Sequence, residues 1–502
     1  MNGSLPKNVI APLGLLLLFL LVTLDVFAGG GNELGRLMRW FAIVGGCYGL
    51  LAPKSATVVF IVSLFYLDFV KRLLVLWSGT SINDVMVSLG AGPVMIAAIC
   101  VACTGSIIIK KYKFGGLFDW LFYLACVLVS VVGFFTIDAE FMERGKSMMG
   151  SALLGMTALA CYCIYSNKDD SRKLLKLLVW GALPMAVYTG WQYFTGIAVW
   201  EEEYILTGLS PTLFNFYVID GGIEYMRPFS TLNLHPSVGA VSGALFLVSL
   251  LVVSKSAGVS VGAGRKVVYF CIGAVFLASM LFAQNRTTFF VPVFFVIFTW
   301  SFQRPWRTKL AYFLGVMAFV AIVFNSEYIY DNINILSMEM TATSMGEKFG
   351  SLGSYQARLT GFKNLLVIEN WQPLGFDEGF EPMSHDPITT LLYRFGYIPL
   401  ALTLIVSGTV VKWWHTTLFH LEDTQDRAYY TGLTAIIAAL LLAGLLYGNL
   451  LFVSPVNALF GALIGVTCGG MRNSNAKTLK VREVDSLKNK QDSYQRGNNG
   501  RK

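Results

Sequence analysis

Apolar runs follow one another from the first residues to residue 469, and short polar segments separate them. A helix that crosses a bilayer needs about 20 mostly apolar residues. On that measure spans are expected near 9–28, 37–52, 55–75, 91–109, 117–137, 148–166, 174–194, 236–254, 267–284, 287–303, 310–326, 389–411, 429–447 and 452–469. The second is short, and the third carries Lys71 and Arg72 near one end. The expected fold is therefore an all-α polytopic membrane protein with about 12–14 transmembrane helices. No fixed-period repeat is visible. Lys7 precedes the first run, and Val26-Phe27-Ala28 resembles a cleavage site. The run is longer than a signal-peptide core, so a retained helix is expected.

Composition agrees with the pattern. Hydrophobic residues make up 55% of the 502-residue chain and charged residues 14%, with a mean hydropathy of +0.60. Soluble domains carry about 25% charged residues, which excludes that class here. Orientation follows from where the basic residues fall. With the polar tail 471–502 in the cytoplasm, roughly two thirds of the Lys and Arg face that side, as the positive-inside rule requires. Both termini are then cytoplasmic, and the net charge of +8 reflects orientation rather than nucleic-acid binding. The chain divides into N-terminal spans 1–195, a central region 196–411, C-terminal spans 412–470 and the tail 471–502, which is expected to be disordered. All eight cysteines fall inside expected spans and read as small buried hydrophobes, with no zinc spacing.

Two extracytoplasmic loops are long, near 195–235 and 326–388, and loops of that length are usually functional. The first ends in Arg227-Pro228-Phe229-Ser230-Thr231-Leu232-Asn233-Leu234-His235-Pro236-Ser237, where Pro236 is placed to open a helix and His235 to stand at its mouth. The second ends in Ser384-His385-Asp386-Pro387, with Asp386 as the expected N-cap. The partial positive charge of a helix N-terminus favours a neutral histidine, the form a general base needs. His235 reads equally well as a hydrogen-bonded turn residue. His415 and His420, among Trp413, Trp414 and Phe419, read as an interfacial anchor in a cytoplasmic segment 412–428.

Three outer arginines stand out: Arg227, Arg286 in the turn Gln284-Asn285-Arg286-Thr287-Thr288, and Arg358. Read as an amphipathic helix, the segment around Arg358 places it within the apolar arc of Leu359, Phe362, Leu365 and Leu366, with Lys363 pointing away. One such arginine is well explained by an ion pair with Asp377, Glu378 or Glu381. Three on one face are better explained by a shared anionic ligand, since guanidinium matches carboxylate or phosphate in bidentate fashion. The triplet Glu201-Glu202-Glu203 reads as a solvated face rather than a site. No metal-holding acidic motif and no nucleotide fingerprint is present in the sequence.

These segments resemble the O-antigen ligase/polymerase family of bacterial envelope proteins. Residues 227–237 look like its R-P-F-G-T-F-x-H-P-N turn, and Gln284-Asn285-Arg286-Thr287 is similar to its T-x-S-R-G turn. Arg358, then Trp371-Gln372-Pro373-Leu374-Gly375-Phe376-Asp377-Glu378-Gly379, His385 and Arg394-Phe395-Gly396-Tyr397-Ile398-Pro399 follow its R…P-x-x-G-x-G…H-N…G-x-x-G order. Ser230 replaces a glycine, Ser237 an asparagine, Asn285 a serine, Thr287 a glycine and Asp386 an asparagine.

The resemblance implies an inner-membrane glycosyltransferase that works at the periplasmic face on glycans linked to undecaprenyl diphosphate. Flippase and chain-length regulator proteins are the expected partners, beside membrane lipid. The expected activity is polymerisation of a surface polysaccharide such as O-antigen, capsule or exopolysaccharide. A ligase acting on lipid A core, a protein O-glycosylating relative, and a transporter or flippase of lipid-linked sugars are the alternatives. For an inverting transfer, Arg286 and Arg358 are the expected phosphate clamps, Arg227 the third, and His385 the candidate base, or else a hydrogen-bonding partner of the donor that takes no proton. His235, Asp386 and Asp377 are expected to bind substrate. No metal and no cofactor is expected.

Overall fold

A computed structural model describes residues 33–77, 91–109, 116–135, 141–207, 228–232, 234–254, 262–283, 285–301, 372–375, 392, 395–447 and 449–475. Among them all regular structure is helical. The helices are α1 (Glu33–Leu51), α2 (Pro53–Leu64), α3 (Leu67–Trp77), α4 (Ala91–Ile108), α5 (Leu117–Val131), α6 (Phe141–Ile164) and α7 (Lys168–Thr195). They continue with α8 (Val199–Leu206), α9 (His235–Val253), α10 (Ala263–Phe282), α11 (Arg286–Ser301), α12 (Tyr397–His420), α13 (Thr424–Tyr447) and α14 (456–475). Among the described residues six helical stretches, in α5, α7, α9, α10, α12 and α13, are long and apolar enough to cross a membrane. The chain is thus a multi-pass helical membrane protein. The expected spans 9–28 and 310–326 lie outside the described residues, as does most of the second long loop.

Polar contacts at one end of the bundle fix the direction of its helices. Lys54 pairs with Asp170 at 2.8 Å, Lys168 with Asp426 at 2.6 Å, and Arg472 with Asp119 at 2.9 Å. The Arg172 guanidinium donates to Val252 O, and Asn473 to Ser166 O. The starts of α2, α5, α7 and α13 therefore share an end with the finishes of α6, α9 and α14. This basic end is the one that the Lys and Arg bias assigns to the cytoplasm.

α9 is the central helix, with 83% of its spanning stretch buried against 11% for the peripheral α12. Small residues make that position possible, because helices associating in lipid gain from close backbone approach. A Cβ at Gly239 would meet Thr288 Cβ of α11 at 3.0 Å, and one at Gly243 would meet Met280 Sδ of α10 at 3.0 Å. Ser242 and Ser279 hydrogen-bond across the α9–α10 seam at 3.0 Å. Gly461, Gly465 and Gly469 of α14 repeat the device against α6, where Cβ atoms would collide with Leu154, Cys161 and Tyr162. The eight cysteines are all free; five are buried, and Cys271 is exposed.

Three expectations are corrected. The span 55–75 is two helices, α2 and α3, broken at Phe65 and Tyr66. The break frees Phe65 O, which accepts the hydroxyl of Thr231. The gap between the expected spans 389–411 and 429–447 shrinks to 421–423: α12 runs on through His415 to His420, whose Nδ1 donates to Thr416 O at 2.7 Å, and α13 starts at Thr424. α14 likewise continues to 475, past the start of the expected tail.

Candidate functional site

At the opposite end from the basic cluster, the turn 228–232 leads into α9. The helix starts at His235, with Pro236 in its first turn, where a missing N–H costs nothing. The Ser237 and Val238 amides both donate to Leu234 O. His235 is 4% exposed. Ser230 adopts φ of 54°, the left-handed region that favours glycine. The serine is held there by its own bonds: its N–H donates to Gln192 Oε1 at 2.6 Å and its Oγ to Met185 O at 2.7 Å.

A closed ring of buried polar groups surrounds this turn. Arg72 Nη1 donates to Glu201 Oε1 at 2.7 Å, and Nη2 donates to Ser230 O at 2.6 Å. Gln192 Nε2 donates to both Glu201 oxygens, at 3.1 and 2.9 Å, while its Oε1 accepts the Ser230 amide. Arg72 and Glu201 are fully buried, and the guanidinium lies 4.7 Å from the Phe229 ring centroid, close to Phe69 and Trp200. Burial pushes the Glu201 carboxyl above its ordinary range, and Arg72 is the largest influence pulling it back. Removing one partner of a buried pair typically costs about 3–5 kcal/mol, because the other charge is left uncompensated. The reading of Glu201 as solvated is therefore corrected. The triplet lies in the first turns of α8, where Glu201 turns inward and only Glu203 of the three is exposed.

The second candidate turn lies beside the first. Asn285 is buried and caps α11, its Oδ1 accepting the Thr288 amide at 3.0 Å. Asparagine is a favoured N-cap residue. Arg286 is the first residue of α11. Thr288 packs on Gly239, so the starts of α9 and α11 are neighbours. Neither a family model, nor a curated protein, nor a solved structure matches this chain.

A third segment closes on the same end. Gln372 O and Pro373 O accept the amides of Tyr397 and Ile398, at 3.0 and 3.2 Å, and so satisfy two open donors at the start of α12. Gly375 donates to Phe135 O beyond the finish of α5 at 2.9 Å. Gly396 has φ of 74°, and a Cβ there would lie 2.7 Å from Gly375 N. The Pro373–Gly375 and Phe395–Tyr397 stretches, separate in sequence, are thus docked on one another.

Of the sequence candidates, His235 and Arg286 open adjacent helices. Arg227, Arg358, Asp377, His385 and Asp386 lie outside the described residues, as does the side chain of Arg286. Among the described residues no cluster of His, Cys, Asp and Glu could hold a metal ion. Sequence reasoning missed the Arg72–Glu201–Gln192 ring. Its one signal was Arg72, a charge too deep in an apolar run to be left without a partner.

Proposed function

We propose that the chain is a membrane glycosyltransferase that polymerises a bacterial surface polysaccharide, taking its donor glycan from undecaprenyl diphosphate. What supports this reading most is the juxtaposition of the His235 and Arg286 turns at one end of the bundle, opposite the basic end. The 372–375 segment docked on the start of α12 adds a third element of the similar pattern. Two helix starts side by side present partial positive charge where a diphosphate would have to bind.

In the proposed reaction the acceptor hydroxyl oxygen attacks the anomeric carbon. The bond from that carbon to the diphosphate oxygen breaks, and its electron pair leaves with the lipid diphosphate. The hydroxyl proton passes to His385, and the anomeric centre inverts. Arg286 and Arg358, with Arg227 as a third, offset the charge that grows on the leaving group, a task fixed cations perform without a metal. His235, Asp377 and Asp386 would bind substrate.

The test is the glycan profile of a strain lacking the gene. Loss of chains longer than one repeat unit supports polymerisation. Loss of capped lipid A core, with polymer retained on the carrier lipid, would replace polymerase by ligase. Loss of all surface glycan, with lipid-linked units trapped in the inner leaflet, would replace transfer by transport.

A further inference from the structure

We propose that Arg72 and Glu201 are positioning residues: through Ser230 they set where α9 begins, and so the placement of His235 beside the start of α11. The inference concerns the same end of the bundle as the glycosyltransferase reading and rests on it for its catalytic consequence.

The ring closes through four residues, Arg72, Glu201, Gln192 and Ser230, and three of them come from α3, α7 and α8. Both backbone polar groups of Ser230 end on it, the carbonyl on Arg72 and the amide on Gln192. Thr231 is tied in turn to the α2–α3 break at Phe65. A turn of such short span, held at four points and kept in a left-handed conformation, has its position dictated from outside. From it the chain passes directly to Leu234, which caps α9, and α9 packs through Gly239 on Thr288.

Stability alone is a poor account of the ring. A buried ion pair is often no better than apolar side chains of the same volume, and its best-attested use is to fix a register. Here the guanidinium fork reaches two targets at once, a carboxylate and one specific carbonyl. A lysine point charge lacks that fork.

The experiment uses the full-length protein in detergent or nanodiscs, with two variants. Arg72→Lys keeps the charge. The double variant Arg72→Met/Glu201→Leu removes the pair without leaving a lone buried charge, so it should accumulate and fold. Amide hydrogen exchange over 228–238 and chemical modification of His235 are measured against exposed His420 in the same molecule. Both should speed up in both variants while His420 is unchanged. Normal exchange and normal His235 modification in the folded double variant would overturn the proposal. With a lipid-linked donor, kcat should fall by up to about 10²-fold, the usual consequence of a small misplacement, and KM should rise with it because His235 binds substrate. A loosened turn with wild-type kcat would also overturn it, since the ring would then be merely structural. If the wild-type protein transfers no sugar at all, glycosyl transfer fails as the function. The exchange and modification data still decide whether the ring sets the start of α9.

Discussion

Gly396 and Gly408 lie at the start and in the middle of the same stretch of chain, and alanine should act on them in opposite directions. Gly396 has a positive φ, and its missing Cβ leaves room for the backbone of Leu374 and Gly375. With ψ of 162° it lies in a region that essentially only glycine adopts, and an alanine held there costs about 1–3 kcal/mol. The larger cost comes from the collision, because backbone cannot swing aside as a long side chain can. If 372–375 is displaced, the bonds from Tyr397 to Gln372, Ile398 to Pro373 and Gly375 to Phe135 are lost together. Each is worth about 0.5–1.5 kcal/mol, so the total loss with the backbone strain should be about 2.5–7.5 kcal/mol. Gly408 sits within α12 with nothing inside 4 Å of its absent Cβ. There alanine should gain about 0.5–1 kcal/mol by restricting the unfolded chain. Thermal unfolding of the two variants in one detergent, followed by size-exclusion chromatography, compares them directly. If Gly396→Ala melts with Gly408→Ala, the docking of 372–375 on α12 is wrong.

Ser230→Gly should be close to neutral in the same assay, because relief of the left-handed strain offsets loss of the hydroxyl bond to Met185, each about 1 kcal/mol. A large loss there would refute the account of Ser230. Arg286→Lys and Arg358→Lys should each remove most polymer from the cell surface while the protein still accumulates in the membrane, because a point charge lacks the fork for a diphosphate. His385→Ala should lower turnover by about 10²–10⁴-fold, with His420→Ala as the silent control; normal turnover at neutral pH would move the base elsewhere. A reporter enzyme active only in the periplasm should be active when fused near Gly353 and silent after Arg304, and the opposite pattern would invert the orientation.

Much of the fold is legible along the chain because a bilayer punishes unpaired backbone polar groups, so long apolar runs have few options besides helices. Sequence alone determined the helical class, and it found the starts of α9 and α11 from Pro236 and the Asn285-Arg286 turn. The single span read over 55–75 failed for a reason that hydropathy cannot see. The α2–α3 break is stabilised by Thr231, which lies far along the chain and is brought to Phe65 O only by folding. Glu201 was misread for the same reason. An acidic triplet looks alike whether it faces water or a guanidinium, and Arg72 reaches it across 129 residues. The glycines told a similar story: Gly239, Gly396 and Gly465 are ordinary letters in the sequence until a neighbouring backbone or side chain arrives to fill the space where a Cβ would be. Hydrophobicity and helix-start chemistry are local properties that a sequence displays residue by residue. Which buried charge meets which partner, and which helix ends lie side by side, are properties of contacts between distant segments, and these only the tertiary structure decided.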